Sequence, residues 1–145
     1  MPMEWDDAAF KGALTRSAID IGINASAKAA KFSEAIVIKA KMKCPVGSGE
    51  GSGKLRDSIG ATPGINPIGP FWDVGTRSDV GIFQEFGTGV YGPKKTRIVP
   101  KNAKVLHFEI NGKEVFAKSV KGSPPQPFMR PSIIEAVAAL RTGAI

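Results

Sequence analysis

The chain has 145 residues, 42% of them apolar and 23% charged, with a net charge of +7. That is the size and composition of one ordinary domain, expected to bury roughly 70% of its unfolded surface without help from metal or disulfides. With one cysteine (Cys44) and one histidine (His107), an internal disulfide and a four-ligand zinc site are excluded, and any Ser-His-Asp or Cys-His scheme would have to use His107.

Residues 5–43 read as one long helix. Phe10, Leu14 and Ala18 recur eleven residues later as Ile21, Ala25 and Ala29, and again as Phe32, Ile36 and Ala40. An eleven-residue period is 3.67 residues per turn, so the stripe stays on one face. Two roles fit such a stripe: packing on the chain's own core, or packing on neighbouring subunits through Phe10, Ile21 and Phe32. Gly12 and Gly22 weaken the helix, and a break near residues 17–20 is allowed. Pro45 ends it.

Residues 46–54 have the Gly/Ser composition of a flexible loop. A short element follows over residues 55–59. Residues 60–70 hold three glycines and three prolines and are expected to form another loop. Residues 71–76 suit a strand. Ser78 or Asp79 is placed to cap a short helix over residues 80–86, with Gly87 in a positive-φ position after it. Residues 87–103 read as a basic loop or arm.

A hairpin is predicted over residues 104–121, turning at Asn111-Gly112 between alternating apolar positions, where both turn residues tolerate positive φ. Phe108 and Phe116 are expected on its core side. Gly and Pro then break regular structure until a C-terminal helix over residues 131–142, with Pro131 in its first turn. The expected fold is a single α+β domain: a long N-terminal helix, a small antiparallel β-sheet with its hairpin, and a C-terminal helix.

Catalytic and cofactor signals are weak. The segment ending in Gly53-Lys54 approaches a phosphate-binding loop. However, it has Ser48 where the first glycine belongs and Leu55 where the magnesium-binding hydroxyl belongs, and it follows a helix rather than a strand. Cys44 reads as an inert thiol and His107 as a structural histidine. Asp57, Asp73, Asp79 and Glu85 are scattered. No cofactor, metal or catalytic residue is assigned, and an enzyme is not expected. No apolar run approaches a ~20-residue membrane span. The N-terminus, with Glu4, Asp6 and Asp7, lacks the features of a signal peptide.

Charge is uneven. Residues 1–27 are net −2, with Lys11 and Arg16 against Glu4, Asp6, Asp7 and Asp20. Residues 94–121 are net +6, with eight basic side chains against Glu109 and Glu114. The second stretch suits a solvated face, an arm toward a protein, or a basic DNA-binding module.

Three segments carry a family resemblance. The first is Pro45-Val46 followed by Gly53-Lys54-Leu55-Arg56-Asp57-Ser58-Ile59. The second is Gln84-Glu85-Phe86-Gly87-Thr88. The third is Pro125-Gln126-Pro127-Phe128-Met129-Arg130-Pro131. In this order, after a long helix, the chain resembles the minor tail-component family of long-tailed bacteriophages, also described as neck or tail-completion proteins. It departs from the family's usual Pro-Val-Asp-Thr-Gly step, where residues 47–52 form a longer Gly/Ser loop.

The resemblance implies a non-enzymatic virion protein of the head–tail junction, present in the host cytoplasm during assembly. It implies a homo-oligomeric ring, hexameric by expectation with a dodecamer as the alternative. The ring would lie between a head-side connector and a tail terminator or tail-tube protein, with genomic DNA in its lumen as a further contact. Glu85, Phe86, Phe128 and Arg130 join the helix stripe as candidate interface residues. Within the residues themselves, Glu85 can pair with Arg56 or Arg130. Phe128, stiffened by flanking prolines, can anchor the last helix to its own core or to a neighbour.

Overall fold

The computed structural model describes residues 7–47, 53–110 and 112–145. Most of the Gly/Ser loop, residues 5–6 of the first helix and Asn111 of the predicted turn lie outside them.

Helix α1 spans Asp7–Lys43, 37 residues and about 55 Å at 1.5 Å per residue. It continues unbroken through Gly12, Gly22 and residues 17–20. The Cys44 amide donates to the Ala40 carbonyl at 2.8 Å, closing the last turn before Pro45.

Only the C-terminal part of α1 is packed. Ser33, Ile36, Ala40 and Cys44 are buried at helical spacing on one face. Ser33 is absent from the apolar stripe. It tolerates burial because its hydroxyl donates to the Ala30 carbonyl at 2.7 Å. The predicted stripe is therefore divided. Ile36 and Ala40 are core, Phe32 is half-buried, and Phe10, Leu14 and Ile21 are each more than half exposed. Ile19 and Ile23, on the far side of the helix, are equally bare.

A four-residue helix, α2 (Lys54–Asp57), leads into strand β1 (Ile59–Asn66), which pairs antiparallel with β2 (Gly69–Thr76). The loop expected over residues 60–70 is therefore most of a hairpin. Each strand of a two-stranded ribbon is an edge, where alternate amides face outward and a proline costs no ladder bond. Pro63 opposes Trp72 and Pro70 opposes Ile65, so both prolines fall in the same alternate set of pairs. The turn is held by the Asn66 side chain, whose Oδ1 accepts the amides of Ile68 at 2.9 Å and Gly69 at 3.0 Å. Gly64 has no side chain because the Phe71 ring of the opposite strand lies across it.

Helix α3 spans Val80–Phe86, as expected. Its cap differs: Asp79 precedes the helix but its side chain caps nothing. Instead the Ser78 amide donates to Thr76 Oγ1 at 3.1 Å, Thr76 Oγ1 and Ser58 Oγ are bonded to one another at 2.5 Å, and Ser58 Oγ donates to the Leu55 carbonyl at 2.7 Å. This hydroxyl chain ties α2, the strand end and the start of α3.

The predicted basic arm holds a 3-10 turn at Gly89–Tyr91 and a single bridge from Ile98 to Val120. Strands β3 (Leu106–Ile110) and β4 (Lys113–Ala117) form the second hairpin, with Gly112 at φ 76° in its turn. The sheet structure is thus two separate two-stranded ribbons. Helix α4 spans Met129–Arg141, starting two residues before the expected position, and packs along α1. Glu135 of α4 lies 2.8 Å from Lys43 and 3.6 Å from Lys39 of α1.

The core is small: Ala40, Cys44, Leu55, Ile59 and Phe128, with Val37 and Met129 against it. The accessible surface is 11268 Å², where a compact monomer of this mass is expected to show about 7,100 Å². The chain buries only about half of the ~22,000 Å² of its unfolded form, short of the fraction its length suggests, and the N-terminal half of α1 is one of several apolar stretches left exposed.

Phe128 is fully buried at the centre of this core. Phe128→Ala is expected to cost about 3–5 kcal/mol, read as a lowered urea midpoint with the slope unchanged. An unchanged midpoint would show that the ring is not a core anchor.

Candidate functional site

The second and third resembling segments form one structure. Glu85, in the last turn of α3, is 5% exposed. Its Oε2 accepts the amides of Phe128 at 2.8 Å and Met129 at 2.9 Å. Its Oε1 accepts the Arg130 amide at 3.0 Å and Arg130 Nε at 3.1 Å. Arg130 Nη2 donates to the Glu85 carbonyl at 3.2 Å. Of the two predicted partners, Arg130 is the one used; Arg56 lies 3.7 Å from Asp57 instead.

The first amides of a helix need acceptors from outside it. Phe128 occupies the cap position of α4 and has no side-chain acceptor. Glu85 supplies one from 43 residues away. Burial by itself raises a carboxyl pKa. Here the three amides and the Arg130 guanidinium outweigh burial and hold Glu85 below the ordinary carboxylate range. An ionised carboxylate offers about four lone-pair sites, and four donors fill them. All the hydrogen bonds given for this carboxylate are thus made to its own chain, and they join α3 to the start of α4.

Backbone contacts extend the clamp. The Thr88 amide donates to the Ser123 carbonyl at 2.9 Å, the Val90 amide to the Lys121 carbonyl at 2.8 Å, and the Gln126 amide to the Gln84 carbonyl at 2.7 Å. Thr88 Oγ1 accepts the Ser123 amide at 2.8 Å. Gly89 (φ 61°) and Gly122 (φ 88°) sit where any Cβ would strike the opposing backbone, which is the physical reason for glycine there. The predicted positive φ at Gly87 is present, at 76°.

The first resembling segment meets the third in the core, where Leu55 and Ile59 pack with Phe128. Phe128 and Glu85 are therefore internal to the protomer and present almost no surface to a neighbour. Phe86 and Arg130 do reach the surface, with the Arg130 guanidinium 4.9 Å above the Phe86 ring. Among the stripe candidates, Phe10 and Ile21 are exposed and Phe32 is half-buried.

Beside this clamp lies a groove of about 620 Å³ between α3 and residues 87–101. Ile82, Phe83 and Phe86 of α3 and Ile98 and Val99 of the arm give it an apolar floor, and all five are exposed. Lys94, Arg97 and Lys101 stand around it. Sequence reasoning missed this feature. Its signal was the pair Ile98-Val99 inside a basic arm, and two adjacent apolar residues with no strand around them were too little to mark it.

The remaining candidates are placed as follows. Cys44 is buried, and burial pushes its thiol up against the lowering pull of Arg56. His107 is on the surface, stacked on Phe116 of the paired strand at 4.5 Å and 3.6 Å from Glu114. Phe116 faces solvent, not the core expected for it, because a lone ribbon has no second layer to cover that face. Asp57 and Asp73 come together, with Arg77, in a polar cleft of about 430 Å³. Among the described residues, no three acidic, His or Cys side chains are grouped to hold a metal ion, and no helix is long and apolar enough to cross a membrane. The eight basic side chains of residues 94–121 are all exposed. No family model, no curated protein and no solved structure matches the chain.

The Glu85 clamp makes stability depend on pH. Because its folded-state pKa is lowered, its contribution is complete above the unfolded carboxylate value near 4.5. It shrinks as pH falls below that value and is lost below the folded one. Glu85→Ala, which leaves three amides at the start of α4 without their acceptor, is expected to cost about 1–3 kcal/mol at pH 7. The gap in urea midpoint between wild type and this variant should stay constant down to about the unfolded value of 4.5 and narrow only as pH falls below it. A gap independent of pH would show that the carboxylate charge is not what the amides hold.

Proposed function

We propose that the chain is a structural protein of a phage head–tail junction, assembling with its own copies into a ring that joins the head-side connector to the tail. The observation that carries this reading is the surface excess: 11268 Å² on a chain of 15.3 kDa, with the apolar residues of the N-terminal half of α1 in solvent. A helix with five large apolar side chains bare on two faces is stable in water only at a cost that covering them removes. The tail-component resemblance supplies the biological setting. Its three segments converge on the Phe128 core and the Glu85 clamp, so the residues that carry the resemblance also carry the fold.

A basic DNA-binding module is the second reading, favoured by the eight exposed basic side chains of residues 94–121. Salt separates the two. Phosphate-driven binding falls steeply between 50 and 200 mM salt, whereas association through apolar helix faces persists.

Ile21 is 69% exposed, so Ile21→Lys is expected to leave the melting of the protomer within about 0.5 kcal/mol of wild type. The same variant should reduce the assembled mass to that of the protomer in light scattering. Phe32→Lys is less clean because Phe32 is half-buried. An Ile21→Lys protein that assembles as wild type does would remove α1 from the interface.

A further inference from the structure

The groove between α3 and the arm plays no part in the α1 contact proposed above. Its apolar floor lies in solvent, and its volume of about 620 Å³ is that of a formed ligand cleft. Around the floor stand Lys94, Arg97 and Lys101, and no acid lines the groove among the described residues. None of the three cations is in an ion pair with a described acid. Arg97 Nε donates to Ser119 Oγ at 2.9 Å. That bond anchors one edge of the guanidinium and leaves its terminal nitrogens for a forked contact with a carboxylate.

Both walls are fixed to the same strip of backbone. The Gln126 amide donates to the Gln84 carbonyl of α3 at 2.7 Å, and Ile98 of the arm exchanges two hydrogen bonds of 2.9 Å with Val120. A cleft held in this way costs little to order when a ligand enters.

We propose that the groove docks an acidic, apolar-anchored peptide segment of a partner protein. Its large aliphatic or aromatic side chains cover the floor, and its Asp or Glu side chains meet Lys94, Arg97 and Lys101. The inference stands apart from the ring reading and goes beyond it.

Charge and polarity together select this occupant. Phosphates would answer the rim but leave the apolar floor in water. A neutral apolar segment, such as the bare tip of the β1–β2 hairpin with Ile65 and Ile68, would cover the floor and leave three partly desolvated cations without counter-charge. Helix α1 of a second copy would bring Lys11 and Arg16 beside Phe10 and Leu14, adding cations to a cationic rim. A segment with both carboxylates and apolar side chains answers both parts of the groove.

The test is selection of random peptides by mRNA display on the full-length protein at physiological salt. The expected winners combine Asp or Glu with large apolar residues. Lys94→Glu/Lys101→Glu should weaken their binding at least tenfold, and the same variant used as bait should select basic peptides instead. Ile82→Ser/Val99→Ser should also weaken binding at least tenfold. All four side chains are exposed, and unchanged circular dichroism checks the fold. Winners without an excess of acids, or binding that neither variant alters, would overturn the proposal. So would duplex DNA that displaces the winners from the groove, which would assign it to phosphates. Protection of Lys94 and Lys101 from amine acetylation by self-association alone would make a second copy the occupant and overturn it as well. The α1 contact of the ring is tested separately by Ile21→Lys, so either reading can fail without the other.

Discussion

One carboxylate holds the second half of this protein together. A buried charge is tolerated only when its hydrogen-bonding capacity is met, and Glu85 meets it with three consecutive amides and one guanidinium. The same contacts supply the acceptors that α4 lacks at its own start. Removing the carboxylate would therefore leave the start of α4 without its acceptors and loosen the link from α3 to Arg130. The position of Phe128 follows from this clamp, because its amide is one of the three. The packing of α4 on α1 follows from Phe128, and the glycines at 87, 89 and 122 let the two backbones approach closely enough for the clamp to form. The body of the protein is thus ordered outward from a polar contact, and its apolar core is correspondingly small.

The sequence made the elements with strong local signals legible. The eleven-residue stripe, Pro45, the run from Val80 to Gly87 and the Asn-Gly turn each marked an element from its own residues. The Glu85–Arg130 pairing and the burial of Phe128 were legible as alternatives, because a forked cation and a stiff aromatic next to a helix start need a partner of known chemistry. The β1–β2 hairpin was not legible. Its glycines and prolines are loop formers by composition, and only the pairing register shows that Pro63 and Pro70 fall where a donor is not missed. Phe116 was misplaced for a related reason. Strand alternation predicts two faces but does not say whether a second layer exists to cover one of them. Period alone likewise could not say which third of the α1 stripe the body would use. That depends on where α4 and the two strands β1 and β2 happen to end.

The surface excess and the small core describe one condition. With about half of the unfolded surface still in water, the protomer has little burial to set against its conformational entropy. Anything that binds only the folded state then adds to stability by mass action. If the chain assembles as proposed, folding and assembly would be coupled through concentration.

Continuity of α1 matters for how assembly ends. Gly12 and Gly22 are ordinary places for a helix to bend, yet the helix runs through both without interruption. Were copies to associate through this helix, as the ring proposal has it, its axis would set the rotation from one copy to the next. The packed part of α1 is braced by α4, by Glu135 against Lys39 and Lys43 and by the Ile36–Ala40–Cys44 face. The groove is braced by the clamp, through α3 and residues 120–126. The packed end of α1 and the groove are therefore tied to the same small core. A constant rotation is the geometric requirement for a ring of fixed number. The physical role of the Glu85–Phe128 unit is to hold α3 and the arm to the start of α4, and through α4 to the packed end of α1.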